Sequence, residues 1–354
     1  MSELIIHLKT LTPLWTGGVD QTCDRLHETG LIGSLRWWYE ALVRGLGGYA
    51  CDPTDEHSRC KYDARHETKS ICAACYLFGT TGWARLFNLR ANEDEIRRTP
   101  LHFYTTLPAN KRWLGSIFGG EKRSNRIDGM EVPFGMLHLQ IIGRGVDEDY
   151  ALSQLAWTLS FAAQNGGLGA RLQHGFGQVY IGEPLTETIT QSEQALRNRL
   201  PLFAKGENKV AWSSRSSFFT DSFHIAANDD LLSAIIEASN VIGKPPQNPT
   251  YVPCAFDLRY KGEKVLGKQL GFRAWLAEKG LRKQQINALL GETRARRDSD
   301  RSASRVCFGM PWLSEQHAYT LKVFGFAPPG IAVEQVKRQA SEYICYLFGP
   351  QGGT

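Results

Sequence analysis

The amino-acid sequence predicts an α+β protein of two tandem ferredoxin-like (RRM-like) domains, the first of which carries a cysteine-rich insert. Three observations lead to this prediction. Short alternating strands and two amphipathic helices follow one another in the first half, a similar set of elements recurs in the second half, and four of the eight cysteines fall in one short segment. The 354 residues are enough for two domains of roughly 100–200 residues each.

The first predicted domain covers residues 1–190 and has the element order β, α, β, β, α, β, with one extra strand. Leu4–Thr10 alternates in the manner of a half-buried strand. Ser34 is the predicted N-cap of a first helix, whose apolar stripe is Leu35, Trp38, Tyr39, Leu42 and Leu46. The elements that follow are strands at Trp83–Ala91, Leu101–Leu107 and Leu137–Arg144, a helix from Tyr150 to Ala162, and a last strand at Phe176–Ile181. This order is typical of an antiparallel sheet with two helices on one face.

The second predicted domain covers residues 209–354, and the polar stretch Thr186–Asn208 is predicted to be a linker. Its predicted strands are Ser216–Ile225, Tyr251–Tyr260, Arg305–Trp312 and Tyr319–Phe326. Its predicted helices are Asp229–Val241, Phe272–Gly280, Lys283–Leu290 and Val333–Phe348. These elements fit a second, decorated copy of the same plan.

The composition excludes several classes of protein. No run approaches the roughly 18 uninterrupted apolar residues of a membrane helix, and the first ten residues do not have the pattern of a signal peptide. We therefore expect a cytoplasmic protein with no membrane contact. The formal net charge of +5 is compatible with a polyanionic partner but does not by itself indicate one.

The insert, at about residues 49–76, contains four cysteines: Cys51, Cys60, Cys72 and Cys75. Cys72 and Cys75 form a C-x-x-C pair, which is the spacing of a tetrahedral zinc knuckle, and the other two would complete a four-sulfur set. His57 or His66 could replace one sulfur, so the fourth ligand stays open between Cys51 and these histidines. A closed set leaves no position for water, so the sequence predicts a zinc-binding insert with a structural ion. Four reduced thiols without a metal are the alternative.

The segment Gly166–Gln178 is rich in glycine and carries Arg171 and His174. A dinucleotide fingerprint needs a strand before its glycines and a helix after them, and the predicted order here is the reverse. A Rossmann site is therefore excluded. Backbone N–H groups lined by glycine, together with an arginine, suit a sugar–phosphate backbone, whereas a tight connection without a ligand is the alternative.

Two basic segments favour a nucleic-acid groove over two solvated loops. Lys111–Arg126 has five basic residues against one acidic residue, with Trp113 and Phe118 between them, and Lys279–Arg305 has eight against three. Basic side chains with nearby aromatic rings suit a groove that follows phosphates and stacks bases. The candidate RNA-binding residues are Arg36, Trp37, Lys111, Arg112, Arg123, Arg126, Arg171, His174, Arg273, Arg294, Arg296 and Arg297.

No catalytic motif is visible. The sequence has no G-x-S-x-G, no H-E-x-x-H and no P-loop. His174 in its glycine-rich segment could serve as a general acid or base, but a lone histidine is more often a contact residue. The sequence therefore predicts a protein that is not an enzyme.

Several sequence blocks carry a resemblance to a known family: Leu11–Gly18, Gly30–Gly48, Cys72–Phe87, Gly167–Val179, Gly267–Trp275 and Ser304–Trp312. Through them the chain resembles the RAMP proteins of CRISPR systems, in particular the first RAMP subunit of type III-B (Cmr) effector complexes. The resemblance implies two ferredoxin-like domains and a non-catalytic, RNA-binding place in an antiviral ribonucleoprotein complex. It also implies guide RNA, target RNA and other RAMP subunits as partners, with the subunit near the 3′ part of the guide and the guide–target duplex.

Two other functions remain open at this stage. One is a metal-independent endoribonuclease that processes guide RNA through His174, since related RAMP proteins do so. The other is a zinc-stabilised adaptor that contacts only protein. Cleavage of repeat RNA without divalent metal would identify the first, and salt-dependent RNA binding would distinguish an RNA-binding subunit from the second.

Overall fold

The structure is a computed structural model that describes residues 2–17, 23–104, 126–182, 186–208, 213–239, 249–260, 262–292, 302–314 and 318–350. These residues form two antiparallel sheets, a two-stranded ribbon and helices, with four cysteines clustered in the first half. The predicted α+β class is therefore confirmed. Among the described residues, no helix combines the length and the apolar character that a membrane span requires.

The first sheet contains β1 (Glu3–Thr10), β2 (Phe87–Asn92), β3 (Ile96–Tyr104), β4 (Arg126–Gly143) and β5 (Val179–Ile181). Its order is β2–β4–β1–β5, and β3 pairs with the first part of β4. All of these pairs are antiparallel, and the register places Leu8 opposite Leu137. Leu8 and Leu137 are buried, whereas Ile5 and His7 of the same strand β1 face outward and are exposed.

Four described helices belong to the first half: α1 (Glu28–Gly45), α2 (Ala73–Phe78), α3 (Glu148–Asn165) and α4 (Thr186–Arg199). Helices α1 and α3 share one hydrophobic core with the buried face of the sheet. Two predictions were wrong here. Helix α1 begins well before Ser34, whose Oγ accepts a hydrogen bond from the backbone N–H of Gly169 (3.0 Å). The stretch predicted as a linker contains α4. This helix packs on the first core through Leu196, whose side chain is fully buried.

The second half has β6 (Phe218–Ala226), β9 (Val306–Phe308), β10 (Trp312–Leu313) and β11 (Ala318–Phe326), with β11 in the centre. Its described helices are α5 (Asp230–Ser239), α6 (Ala255–Tyr260), α7 (Phe272–Glu278), α8 (Lys283–Leu290) and α9 (Val333–Phe348). A ribbon of β7 (Lys264–Val265) and β8 (Lys268–Gln269) lies between α6 and α7 in the chain. The strand predicted at Tyr251–Tyr260 was wrong, because a short apolar run cannot be distinguished from a buried helix by periodicity.

The two halves meet in a packed junction. A separate apolar cluster there includes Trp15 and Phe176 from the first half and Phe256 and Met310 from the second. Lys322 of β11 reaches across the junction, and its Nζ donates to the carbonyl oxygens of Ala163 and Gln164 (3.2 and 2.8 Å) at the end of α3. The orphan carbonyls of that helix end are thus partly satisfied from the other half.

We expect the Lys322→Met variant to change how stability depends on pH. Burial lowers the pKa of Lys322 to about 8, whereas the unfolded side chain keeps an ordinary pKa near 10.5. The unfolded state therefore binds more protons between these pH values, and Lys322 makes the free energy of unfolding rise with pH in that window. Below about pH 8 both states are protonated, and the full cost of the buried charge is present.

The difference in unfolding free energy between wild type and Lys322→Met is expected to shift in favour of wild type by about 2 kcal/mol from pH 7 to pH 10. Urea titrations at both pH values measure it, and Lys283→Met on the exposed side of α8 is the matched control. Identical pH profiles for Lys322→Met and wild type would contradict the assignment.

Candidate metal centre and nucleic-acid interface

The four cysteines of the insert meet in one buried cluster, which we call the cysteine cluster: Cys51, Cys60, Cys72 and Cys75. Their sulfur atoms all lie within 4.8 Å of one another, and Cys51 Sγ is 3.4 Å from Cys75 Sγ and 3.9 Å from Cys72 Sγ. Four sulfurs at about 2.3 Å from a tetrahedral zinc ion are roughly 3.8 Å apart. The cluster therefore has the size and the donor set of a tetrahedral metal site.

Local backbone structure positions these sulfurs. Cys72 is the N-cap of α2, and its Sγ accepts a hydrogen bond from the backbone N–H of Cys75 (3.4 Å). The N–H of Cys72 in turn donates to Cys60 Sγ (3.3 Å). Hydrogen bonds to Cys60 and to Cys51 hold the pKa values of the Cys51 and Cys72 thiols, respectively, below the ordinary value. For these two thiols this favours the thiolate form that binds metal, whereas hydrogen bonds to Cys51, Cys72 and Cys75 raise the pKa of the Cys60 thiol.

The fourth position of the set, open in the sequence between Cys51 and two histidines, goes to Cys51 in the structure. His57 is exposed, and the His66 side chain is 70% exposed and lies 2.8 Å from the Asp63 carboxylate. In the part of the chain that the structure describes, no other group of three or more His, Cys, Asp or Glu side chains is placed to share an ion.

An arginine lies directly against the cysteine cluster. Arg36 donates from Nη2 to Cys75 Sγ (3.1 Å), from Nη1 to the carbonyl of Gly79 (3.0 Å) and from Nε to Glu40 (2.9 Å). Burial alone would lower the pKa of Arg36, but the charges of Cys75 and Glu40 outweigh it and raise the pKa above the ordinary value. Since all three nitrogens of the guanidinium have partners inside the protein, the RNA contact predicted for Arg36 stays a prediction.

Arg36 is one end of a buried ionic array with Glu40 and Arg44, which we call the α1 triad. Glu40 Oε2 is 3.3 Å from Arg44 Nη2, and Arg44 Nη1 donates to Ser213 Oγ (2.7 Å). The three side chains are 16%, 7% and 2% exposed. This array was not predicted from the sequence, although the four-residue spacing of opposite charges on one helix is a recognisable signal.

A cavity of about 270 Å³ lies between the two halves, and we call it the junction cavity. Its lining includes Trp37 from α1, Arg171 from the glycine-rich segment, Arg305 before β9, and Phe324 and Phe326 from β11. Trp37 and Arg171 are therefore brought to the same place, as the sequence suggested. Arg305 was not singled out, although it ends the second basic segment.

Arg171 occupies an unusual position at this cavity. Its backbone is left-handed (φ 61°), which is uncommon for a residue with a side chain. Its guanidinium lies 4.6 Å from the centre of the Trp15 ring, a distance at which a cation is attracted to the ring face. Burial lowers the pKa of Arg171 to about 10, so the side chain remains a cation at neutral pH.

Two further RNA-binding candidates have structural contacts. His174 is 6% exposed, and its pKa is held well below the ordinary value by burial and by the charges of Arg259 and Arg171. Arg273 donates to Asn287 Oδ1 (2.8 Å) and to the carbonyls of Leu290 and Gly291 at the end of α8. The RNA contacts proposed for both residues stay predictions.

The other candidates belong to the two basic segments. Lys111, Arg112 and Arg123, and likewise Arg294, Arg296 and Arg297, lie outside the described residues, and Arg126 is described only as the first backbone position of β4. Within the second segment, Glu292 and Ser302 are described and pair through two backbone hydrogen bonds (3.2 Å each). Ala303 and Arg305 follow directly and line the junction cavity, so this basic segment ends at the cavity rim.

Comparison with known proteins gives a family and a set of similar structures. Residues 7–180 match the model of the RAMP superfamily. The crystal structure of Cmr1 from Pyrococcus furiosus in its apo form is 14% identical, with 98% of this chain and 96% of that chain covered and a TM-score of 0.45. Two chains from cryo-EM structures of the type III-B Cmr-beta complex bound to cognate target RNA are each 12% identical. They cover 97% of this chain and 99% of their own, with TM-scores of 0.42 and 0.41. No curated protein matches the sequence at a significant level.

Proposed function

We propose that this chain, which belongs to the RAMP superfamily through residues 7–180, is a non-catalytic RNA-binding subunit of a type III-B CRISPR effector complex. In that role it holds the 3′ region of the guide RNA, the guide–target duplex, or both, beside other RAMP subunits in antiviral defence. The family match and the sequence blocks that resemble type III-B subunits support this proposal.

The junction cavity is the observation that carries RNA binding. It brings together an aromatic ring of α1, the arginine of the glycine-rich segment and the end of a basic segment, which are far apart in sequence. The lining contains two arginines, and among the described residues that form it there is no Asp or Glu. Cations beside aromatic rings are the combination with which proteins bind single-stranded nucleic acid.

We also propose that both halves are ferredoxin-like units. In the first half, the order β2–β4–β1–β5 with α1 and α3 on one face is the arrangement of a β-α-β-β-α-β unit, with β3 as the extra strand. In the second half, β6, β11 and the pair β9 and β10 occupy three strand positions of the same plan, with α5 and α9 as its helices. The first domain then includes α4, because Leu196 belongs to its core.

For the cysteine cluster we propose one structural zinc ion held by Cys51, Cys60, Cys72 and Cys75. The four buried sulfurs and their spacing suit zinc, and no fifth side chain or open position is needed. The ion would cross-link the insert, and Arg36 would balance part of the negative charge of four thiolates.

The environment of His174 supports a role without catalysis. A general acid or base must reach its substrate and must exchange a proton near neutral pH. His174 is buried, and its low pKa keeps the ring neutral over the physiological range. A guide-processing endoribonuclease that uses His174 is therefore the weaker proposal.

The test is a binding assay with the full chain, unstructured single-stranded RNA and no divalent cation. We expect binding that weakens steeply with salt, no cleavage, and a loss of affinity in Arg171→Gln across unrelated sequences. If Arg171 contacts one phosphate, the plot of the logarithm of the association constant against the logarithm of salt concentration should be shallower in Arg171→Gln, by about 0.7 in slope. Arg338→Gln, which removes an exposed arginine (72% exposed) on α9, is the matched control and should bind as wild type does.

Absence of RNA binding by the wild-type chain would refute the proposal and leave the adaptor that contacts only protein. Cleavage that disappears in His174→Gln, with RNA binding retained, would instead establish the endoribonuclease.

A further inference from the structure

We infer that the junction cavity binds one nucleoside phosphate unit, with the base against Trp37 and the phosphate between Arg171 and Arg305. This inference rests on the proposed function, because it names the part of an RNA strand that the cavity takes. Its chemistry is that of a single unstacked nucleotide, whether within an RNA strand or free in solution.

The size of the cavity limits the ligand. Pockets for small molecules have volumes of roughly 300–1,000 Å³. The junction cavity, at about 270 Å³, lies just below this range. It therefore admits one nucleotide and excludes a duplex, whose bases stay stacked and paired.

The charge of the lining selects an anion. Arg171 and Arg305 are both partly buried, and desolvation lowers the pKa of each guanidinium, which nevertheless remains protonated at neutral pH. The lining residues that the structure describes include no carboxylate. Two cations in a partly desolvated site attract a phosphate more strongly than the same cations would in open water.

The apolar part of the lining selects a planar ring. Trp37 is only partly buried, and its ring contacts Trp38 and Phe326 at centroid distances of 4.7 and 5.4 Å. The interplanar angles are 74° and 90°, so neither of these rings stacks parallel to Trp37. The indole is held in place by edge contacts, and unstacked bases bind proteins by stacking on such fixed aromatic rings.

Close backbone contacts keep the walls in position. A Cβ on Gly169 (φ 84°) would lie 2.5 Å from the carbonyl oxygen of Trp15, and one on Gly325 (φ 156°) would lie 1.9 Å from that of Arg305. The N–H of Phe326 also donates to the Arg305 carbonyl (3.0 Å). Because both arginine-bearing segments are fixed against neighbouring backbone, little ordering is required when a ligand binds.

The experiment compares binding that depends on the base with binding that does not. The full chain is titrated with a labelled oligouridine and with the same strand made entirely of abasic residues. Stacking of one base predicts that wild type binds oligouridine roughly 5- to 150-fold more tightly than the abasic strand. Trp37→Leu should remove this difference without changing abasic binding, and Trp37→Phe should keep most of it.

Tyr180→Leu is the matched control, because Tyr180 is an exposed aromatic residue (55% exposed) on the first sheet and is not part of the lining. It should bind both strands as wild type does.

Wild-type protein is also cross-linked by light to an oligonucleotide with 5-iodouridine, so that the result does not depend on variant folding. We expect cross-linked peptides that contain Trp37 or the cavity segments at residues 169–173 and 303–307.

Free uridine and adenosine monophosphates form the second arm. Competition by them that is lost in Trp37→Leu identifies free nucleotides as ligands. Binding that is confined to the RNA strand and is weakened in Trp37→Leu identifies a nucleotide within RNA. Either result supports the cavity site. RNA binding with equal affinity for wild type and Trp37→Leu, and cross-links only outside the cavity, would overturn the cavity site but not the proposed function. If the protein binds the monophosphates but not the RNA strand, the proposed function is overturned and the cavity site is not. If it binds neither ligand, the proposed function and the cavity site are both overturned.

Discussion

Cys72→Ser is expected to abolish metal binding and to lower the melting temperature of the protein by about 10 °C or more. Cys72 supplies a sulfur to the cysteine cluster and is the N-cap of α2, where its Sγ accepts a hydrogen bond from the backbone N–H of Cys75. Structural zinc sites contribute about 10–16 kcal/mol of apparent binding free energy in isolated peptides. Even a part of that value is large beside the stability of a domain.

The position of the cluster explains why the effect should extend beyond the insert. The four cysteines belong to the same hydrophobic core as Leu35, Trp38 and Tyr39 of α1, and all four are buried. Loss of the ion leaves crowded thiols inside this core, and Arg36 loses part of the charge that it faces. We therefore expect the first half to melt early rather than the insert alone to loosen.

Elemental analysis of protein purified without chelator should find about one equivalent of zinc per chain, and less than about a tenth in Cys72→Ser. Cys345→Ser on α9, outside the cluster, is the matched control and should keep both zinc and melting temperature. Wild-type protein that carries no zinc, yet melts at the same temperature with and without chelator, would show that the thiols are unliganded.

The sequence predicted best where one strong periodic signal determines the structure. Val333–Phe348 has the same bounds as α9, and Leu4–Thr10 differs from β1 by a single residue, since both have a clean apolar stripe. The cysteine cluster could also be predicted, because the chemistry of C-x-x-C depends on spacing alone. The remaining two cysteines of the cluster come from loops whose course in space the spacing does not determine.

The sequence could not predict contacts that depend on partners distant in the chain. Arg36 and Trp37 are neighbours on α1, and both were predicted to face RNA. In the structure Arg36 meets the insert at Cys75, whereas Trp37 meets the second half at Phe326. Helical periodicity distinguishes the buried side of α1 from its other sides. It does not predict which later segment of the chain packs on each of those sides. Arg305 was overlooked for the same reason, because β11 and the glycine-rich segment bring it to the cavity.

Glu40→Gln is expected to destabilise the protein by about 3–5 kcal/mol, since it removes the one anion of the α1 triad. Arg36 and Arg44 each use a nitrogen on this carboxylate, and all three side chains are buried or nearly so. A neutral amide removes the carboxylate charge that Arg44 faces and leaves Arg36 facing only the cysteine cluster through Cys75. One end of the amide is also a donor that faces donors. The resulting free energy is the cost of uncompensated buried charge, not the net value of the ion pairs.

A second substitution separates these two quantities. Adding Arg44→Met to Glu40→Gln removes one of the unpaired charges, so the double variant should regain part of the lost stability, as measured by urea unfolding. Glu342→Gln, which breaks an exposed pair with Arg338 (3.8 Å), is the matched control and should cost less than about 1 kcal/mol. Zinc content should stay unchanged in Glu40→Gln, because all four sulfurs remain. A double variant less stable than Glu40→Gln would mean that Arg44 stabilises α1 through Ser213 and the carbonyl of Ala50 rather than through Glu40.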